Sequence, residues 1–273
     1  MRYQSDVTEF VHSPALSHLP PSVGRLGAAL ARPKAIALGC LAVLTGVGWV
    51  ALALIAADGG WAALCRPGAS AGWSAAALAF PMWAAMALAM MLPTAGPMIL
   101  TYAEIADTAA GRREAAVSPL ILTAGYVTVW LGFAAVAAVL QTAFARAGWL
   151  GTGGAGWAFS GALFVAAGLY QFSALKHACL TQCQRPFPFF FANWTTEPMG
   201  VLRLGLRQGL LCLGCCWAAM AVMLATGAMN PVWMAVLGAV MTIEKMSTTA
   251  RFSHAVGIGF GAVGAAMLAV AAM

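Results

Sequence analysis

Five of the seven cysteines in this chain lie between Cys179 and Cys216. They fall into two groups, Cys179 with Cys183, and Cys212 with the adjacent pair Cys215 and Cys216; His177 precedes the first group by two residues. Thiols and an imidazole at such density are ligands for soft metal ions or redox groups by type. In Gly205–Trp217 the second group has helical spacing. At about 100° per residue, Cys212, Cys215 and Cys216 occupy a sector of roughly 100°, with Met223 continuing the stripe. Cysteine is also a small apolar residue at home in helix packing, so the stripe reads either as a ligand face or as core. Cys179 and Cys183 are four apart and share one side of a helical turn, which His177 joins if the chain bends there. If the two groups converge, they offer more donors than one tetrahedral ion needs, leaving some for a transfer relay.

Further donors are sparser. Met82, Met86 and Met90 repeat at i, i+4 and i+8, as a thioether row able to bind Cu(I) or as flexible packing. Pro93 and Pro97 follow, and their missing N–H groups predict a kink or break. Glu244 sits among Met241, Thr242, Ile243 and Met246. An acid there is either a hard ligand or proton acceptor, or a partner for Arg203, Arg207 or Lys245. Glu104, near Asp107, reads as a solvated helix end. The candidate metal ligands are therefore Cys179, Cys183, Cys212, Cys215, Cys216, His177, Glu244 and Met90. No His-Glu-x-x-His pattern, Ser/His/Asp ordering, Walker A loop or dinucleotide fingerprint occurs.

The elements that must hold these residues are membrane helices. Of 273 residues, 62% are hydrophobic and 8% charged, against about a quarter charged in soluble domains. The apolar stretches are continuous and long enough to cross about 30 Å of hydrocarbon, which favours helices over an alternating barrel. The chain is predicted to be all-α and polytopic, with about seven spans at about 35–57, 74–103, 118–143, 153–174, 205–226, 231–246 and 254–272. Residues 1–33 form a polar N-terminal tail without a secretory signal. Residues 34–273 form one transmembrane domain, with a cysteine-bearing loop at about 175–204.

Twelve of the 14 Lys and Arg residues fall on one side of these spans, leaving Arg66 and Arg146 on the other. The positive-inside rule then places the N-terminus and the loop 175–204 in the cytoplasm of a bacterial inner membrane. The formal charge of +6 accordingly reflects topology; no basic face with stacking aromatics marks a nucleic-acid binder. A reducing cytosol keeps the thiols free. The run Phe187, Phe189, Phe190, Phe191 and Trp194, beside Arg185, reads as an interfacial segment. Gly257 and Gly261 have the small-xxx-small spacing of close helix packing.

Between about residues 80 and 246 the chain resembles an uncharacterised bacterial family of predicted metal-binding integral membrane proteins. The resemblance rests on Met90-Met91-Leu92-Pro93 with Pro97-Met98, on Gly168-Leu169-Tyr170-Gln171, and on Leu175-Lys176 with Cys179-Leu180, Cys183 and Pro186. It continues through Gly205, Arg207, Gly209, Cys212-Leu213-Gly214-Cys215-Cys216-Trp217, Asn230, Trp233-Met234 and Glu244-Lys245. His177 lies outside the family pattern. The resemblance implies metal binding and supplies no reaction. The residues themselves point to a soft metal, copper ahead of zinc, with the lipid bilayer and a metal donor or membrane metalloenzyme as partners. The alternatives are a membrane thiol or metal-dependent oxidoreductase and an assembly subunit of a membrane metalloenzyme.

Overall fold

A computed structural model describes residues 32–57, 73–111, 117–151, 153–225, 231–247 and 249–273. The tail expected at 1–33 lies almost wholly outside these residues, as does Cys65. Among the described residues the protein is all-helical, with nine helices and no strand. In chain order they are α1 Pro33–Ala57, α2 Trp73–Gly111, α3 Pro119–Arg146, α4 Gly154–Tyr170, α5 Ala174–Gln184, α6 Pro186–Ala192, α7 Pro198–Ala225, α8 Pro231–Met246 and α9 Ala250–Ala271.

Five of these, α1, α2, α3, α7 and α9, are long and apolar enough to cross a bilayer, and α4 with α5 makes a sixth if that pair, bent by 64°, is one span. The expected count of about seven is not confirmed among the described residues. α4 by itself has 17 residues and α8 has 16, which cover about 24–26 Å at 1.5 Å per residue, short of a full hydrocarbon core. The segment expected to be a loop, 175–204, is mostly helix: it holds nearly all of α5, α6 and about the first two turns of α7. Ser173 caps α5 by accepting the Lys176 N–H at 3.1 Å. Its side-chain oxygen satisfies one of the orphan donors of the first turn.

α2 is the central scaffold. It continues for 39 residues through Pro81, Pro93 and Pro97; of the kink or break expected at Pro93 and Pro97, the break does not occur. Side-chain bonds are added beside these prolines: Thr94 donates to the Met91 carbonyl at 2.9 Å and Thr101 to the Pro97 carbonyl at 2.7 Å. Helices packed along α2 give the support that lets prolines sit inside membrane helices.

α2 packs on α1 and α3, α3 on α7, and α4 on α9. Three of these contacts are backbone-close because glycine removes the side chain, among them α1 on α2, where a Cβ on Gly48 would lie 2.7 Å from the Ala89 nitrogen. A Cβ on Gly125 of α3 would collide with the backbone of Leu202, Gly205 and Leu206, and one on Gly205 of α7 would collide with Leu122. Likewise a Cβ on Gly168 of α4 would lie 2.8 Å from the Gly257 carbonyl of α9. Small residues here allow approach that dispersion then rewards. The α3–α7 contact matters for the site, because Tyr126 follows Gly125, and Cys212 lies two turns beyond Gly205.

Candidate metal centre

The sulfur cluster is built on α7. Cys212, Cys215 and Cys216 are all buried, and their sulfur atoms lie within 4.8 Å of one another. Cys215 Sγ is 3.3 Å from Cys216 Sγ and 3.1 Å from the Cys212 carbonyl. A fourth sulfur comes from α5: Cys183 Sγ is 4.0 Å from Cys215 Sγ. All four thiols are free, and Cys183 is half-buried. Sulfurs bound at about 2.3 Å to one ion sit about 3.8–4.0 Å apart. The observed spacings bracket that value, so small rotamer adjustments bring three of the sulfurs onto a shared ion. An all-sulfur donor set selects Cu(I) or Zn(II) over hard cations.

Cys179, also on α5, reaches α7 differently. Its sulfur fills the notch at Gly214, where a Cβ would lie 2.6 Å from it. Tyr170 donates to the carbonyl of the same glycine at 2.5 Å. Gly214 therefore lets the α5 thiols approach the face of α7 that carries the cluster.

Three groups from other helices surround Cys212. Lys245 Nζ of α8 lies 3.1 Å from Cys212 Sγ and donates to Thr94 Oγ1 at 2.6 Å. The Tyr126 hydroxyl of α3 lies 3.0 Å from the same sulfur and donates to the Met91 carbonyl at 3.1 Å. Thr94 is the third, reaching the cluster through Lys245. A cation and a hydroxyl against one sulfur suit it to carry negative charge, the form in which a thiol binds metal.

The remaining candidates go elsewhere. Glu244 is buried and held on both oxygens by Lys176 Nζ, at 2.9 and 2.8 Å, while Ser253 donates to Oε1 at 2.9 Å. Its ion-pair partner is thus Lys176, not Arg203, Arg207 or Lys245. Gln184 caps the end of α8 by donating to the Glu244 and Ser247 carbonyls at 2.9 and 2.6 Å. His177 projects toward α9, its ring centre 5.5 Å from that of His254. Met90 is buried where α2 meets α8, its methyl 3.7 Å from where a Cβ on Gly238 would be. Glu104 is an exposed partner of Lys34 at 2.7 Å.

Sequence reasoning missed Lys245 and Tyr126 as neighbours of Cys212. One signal for Lys245 was available: it follows Met241 by one helical turn, and Met234 and Met241, seven apart, are both buried. A lysine continuing a buried stripe must find an acceptor. Tyr126 carries no comparable mark.

No curated protein and no solved structure matches the chain. A family model does, across residues 80–267, which contain every one of these site residues. With that match spanning more than half of its length, and with a buried thiol cluster at its centre, the chain belongs to the PpoB2 family of copper chaperones.

Proposed function

We propose that this protein receives Cu(I) at the half-buried thiols of α5 and passes it to the buried thiols of α7 within a bacterial inner membrane, for delivery to a metalloenzyme partner. The N-terminus and α5 then face the cytoplasm, a placement that the distribution of lysine and arginine supports. The observation that carries this reading is the 4.0 Å approach of Cys183 to Cys215. It joins a more accessible thiol to an enclosed one across two helices. Cu(I) exchanges between thiolates through three-coordinate intermediates, so sulfurs at this separation form a short transfer step. Cys179, one turn before Cys183, is the first acceptor. Copper is the cargo, and its passage needs no change of oxidation state.

Elemental analysis of the full chain, purified without a metal-binding tag after growth in copper, tests the reading. At least one copper per chain is expected, and a content lower by at least one equivalent is expected in the Cys212→Ser/Cys215→Ser/Cys216→Ser variant. Equal copper in both proteins would sink the proposal. In the Cys179→Ser/Cys183→Ser variant the expected result is slower loading with the buried site still able to fill.

A further inference from the structure

The sulfur cluster leaves one pair of metal-binding side chains unused. His177 of α5 and His254 of α9 are both half-buried, with ring centres 5.5 Å apart and planes at 86°. Phe172, in the turn between α4 and α5, stacks on His254 at 5.1 Å and 18°. We propose that His177 and His254 form a second copper site, an exchangeable docking point for Cu(I) on the side of α5 opposite its cysteines.

The spacing of the ring centres suits a shared ion once each ring turns a nitrogen toward the gap between them. With metal–nitrogen bonds of about 2.0–2.1 Å, the metal sits about 3.2 Å from each ring centre, so centres about 5.5 Å apart correspond to a ligand angle of roughly 120°. That angle leaves a third position free for a sulfur of an incoming carrier. Imidazole is an accepted copper ligand, though a weaker one for Cu(I) than thiolate. Metal held here would therefore move on toward the cysteines, and not the reverse.

The surroundings are built to hold the two rings in register. His177 follows Lys176, and His254 follows Ser253. Lys176 and Ser253 both grip the Glu244 carboxylate, at 2.8 and 2.9 Å. One buried carboxylate thus fixes the rotation of α5 and of α9, and the next residue of each helix meets its counterpart. The same pairing neutralises the Lys176 charge, leaving exposed Arg251, one turn before His254, as the nearest cation in sequence on α9. Along α5 the imidazole is six residues from Cys183, about 9 Å of helix rise. Transfer is a ligand exchange: two neutral imidazole nitrogens replace a carrier thiolate on Cu(I), the released thiolate takes up a proton from solvent, and no electron moves.

This inference rests on the copper-handling reading, and two measurements keep their failures apart. In the first, wild-type protein in detergent is loaded anaerobically from a Cu(I)–glutathione complex and compared with the His177→Phe/His254→Phe variant. Phenylalanine keeps the aromatic packing on Phe172 and removes the donors. The expected result is a loading rate at least tenfold slower, with the copper held by the cysteines at equilibrium unchanged. In the second, a variant with serine at Cys179, Cys183, Cys212, Cys215 and Cys216 is titrated with Cu(I) against a chromophoric chelator. It should retain one equivalent, lost when both histidines are also phenylalanine. An unchanged loading rate, or no histidine-dependent equivalent, would overturn the proposal. Failure of wild-type protein to load copper would instead overturn the cysteine reading, while the second titration would still report on the histidines.

Discussion

Glu244 and Lys245 are neighbours on α8 but serve two different networks. About 100° of helical rotation turns one toward α5 and α9 and the other toward α2 and α7. The Glu244 network is closed: both carboxylate oxygens contact Lys176, Ser253 adds a further bond, and the group is sealed from solvent. The Lys245 network is open: its ammonium contacts one hydroxyl and one sulfur, and that sulfur belongs to a cluster with unspent donor capacity. Charges that have found all their partners hold helices together. Charges set beside unsatisfied ligands are available for chemistry. The contrast predicts that the two residues fail in different ways.

The largest effect is expected at Glu244. Glu244→Gln leaves the Lys176 ammonium buried without a counter-charge, a change that costs about 3–5 kcal/mol when one partner of a buried pair is removed. Unfolding of the purified protein in detergent should show that loss, while copper per folded chain stays the same. Replacing both partners, as Lys176→Met/Glu244→Leu, should restore most of the stability, since the buried charge is then gone. If Glu244→Gln instead lowers copper content at unchanged stability, the two networks have been assigned the wrong way round.

Lys245→Met should do the opposite. Thr94 retains its bond to the Met91 carbonyl, so the bundle loses little. What disappears is the cation that offsets the negative charge of metal-bound sulfur. A charge-assisted hydrogen bond is worth about 1.5–3 kcal/mol, so Cu(I) affinity should fall by roughly 10- to 150-fold, measured by chelator competition. Stability should move by less than in Glu244→Gln. Equal effects of both variants on stability would erase the distinction.

A third substitution asks what positions the open network. Gly205→Ala places a methyl against the Leu122 backbone where α3 and α7 touch. Overpacking of this kind costs about 1–3 kcal/mol. The forced separation also draws Tyr126 away from Cys212, so both unfolding and copper affinity should worsen together. A change in stability alone would mean that the α3–α7 contact does not set the cluster.

These contrasts also mark where the sequence was readable. Helical class and the α7 stripe were legible, because hydrophobic continuity and a 3.6-residue period are properties of one segment at a time. The convergence of Cys183 on Cys215 was posed only as a condition, since it depends on the bend between α4 and α5 and on the notch at Gly214. Pro93 and Pro97 left a kink or a break open, and of these the break does not occur, because α2 continues through both with other helices packed along it. Lys176 was passed over because a lysine in a supposed loop needs no partner. Once that loop is recognised as α5, the same residue is an interior charge and must find one. His177 was grouped with the cysteines by proximity in sequence, whereas about 200° of rotation separates it from Cys179 on the helix.

The smallest predicted effect concerns Tyr126, and it separates the contributions to Cys212. The Tyr126 hydroxyl has one proton and two neighbours, the Met91 carbonyl at 3.1 Å and Cys212 Sγ at 3.0 Å. While Cys212 is a thiol, the hydroxyl can donate to the carbonyl and accept from the S–H. Once the sulfur carries metal it has no proton to give, and the hydroxyl gains by turning its own proton toward the sulfur. Met91 is not stranded by that turn, because Thr94 still donates to it at 2.9 Å. The exchange therefore costs little: a neutral hydrogen bond worth about 1 kcal/mol is at stake in the thiol state and a charge-assisted one, stronger by about 1 kcal/mol, in the loaded state, and affinity reads that difference. Tyr126→Phe should lower Cu(I) affinity by no more than about fivefold and stability by about 1 kcal/mol. A Tyr126→Phe effect on affinity exceeding that of Lys245→Met would show that the hydroxyl, not the ammonium, bears the charge of the loaded site. The open network would then centre on α3 instead of α8.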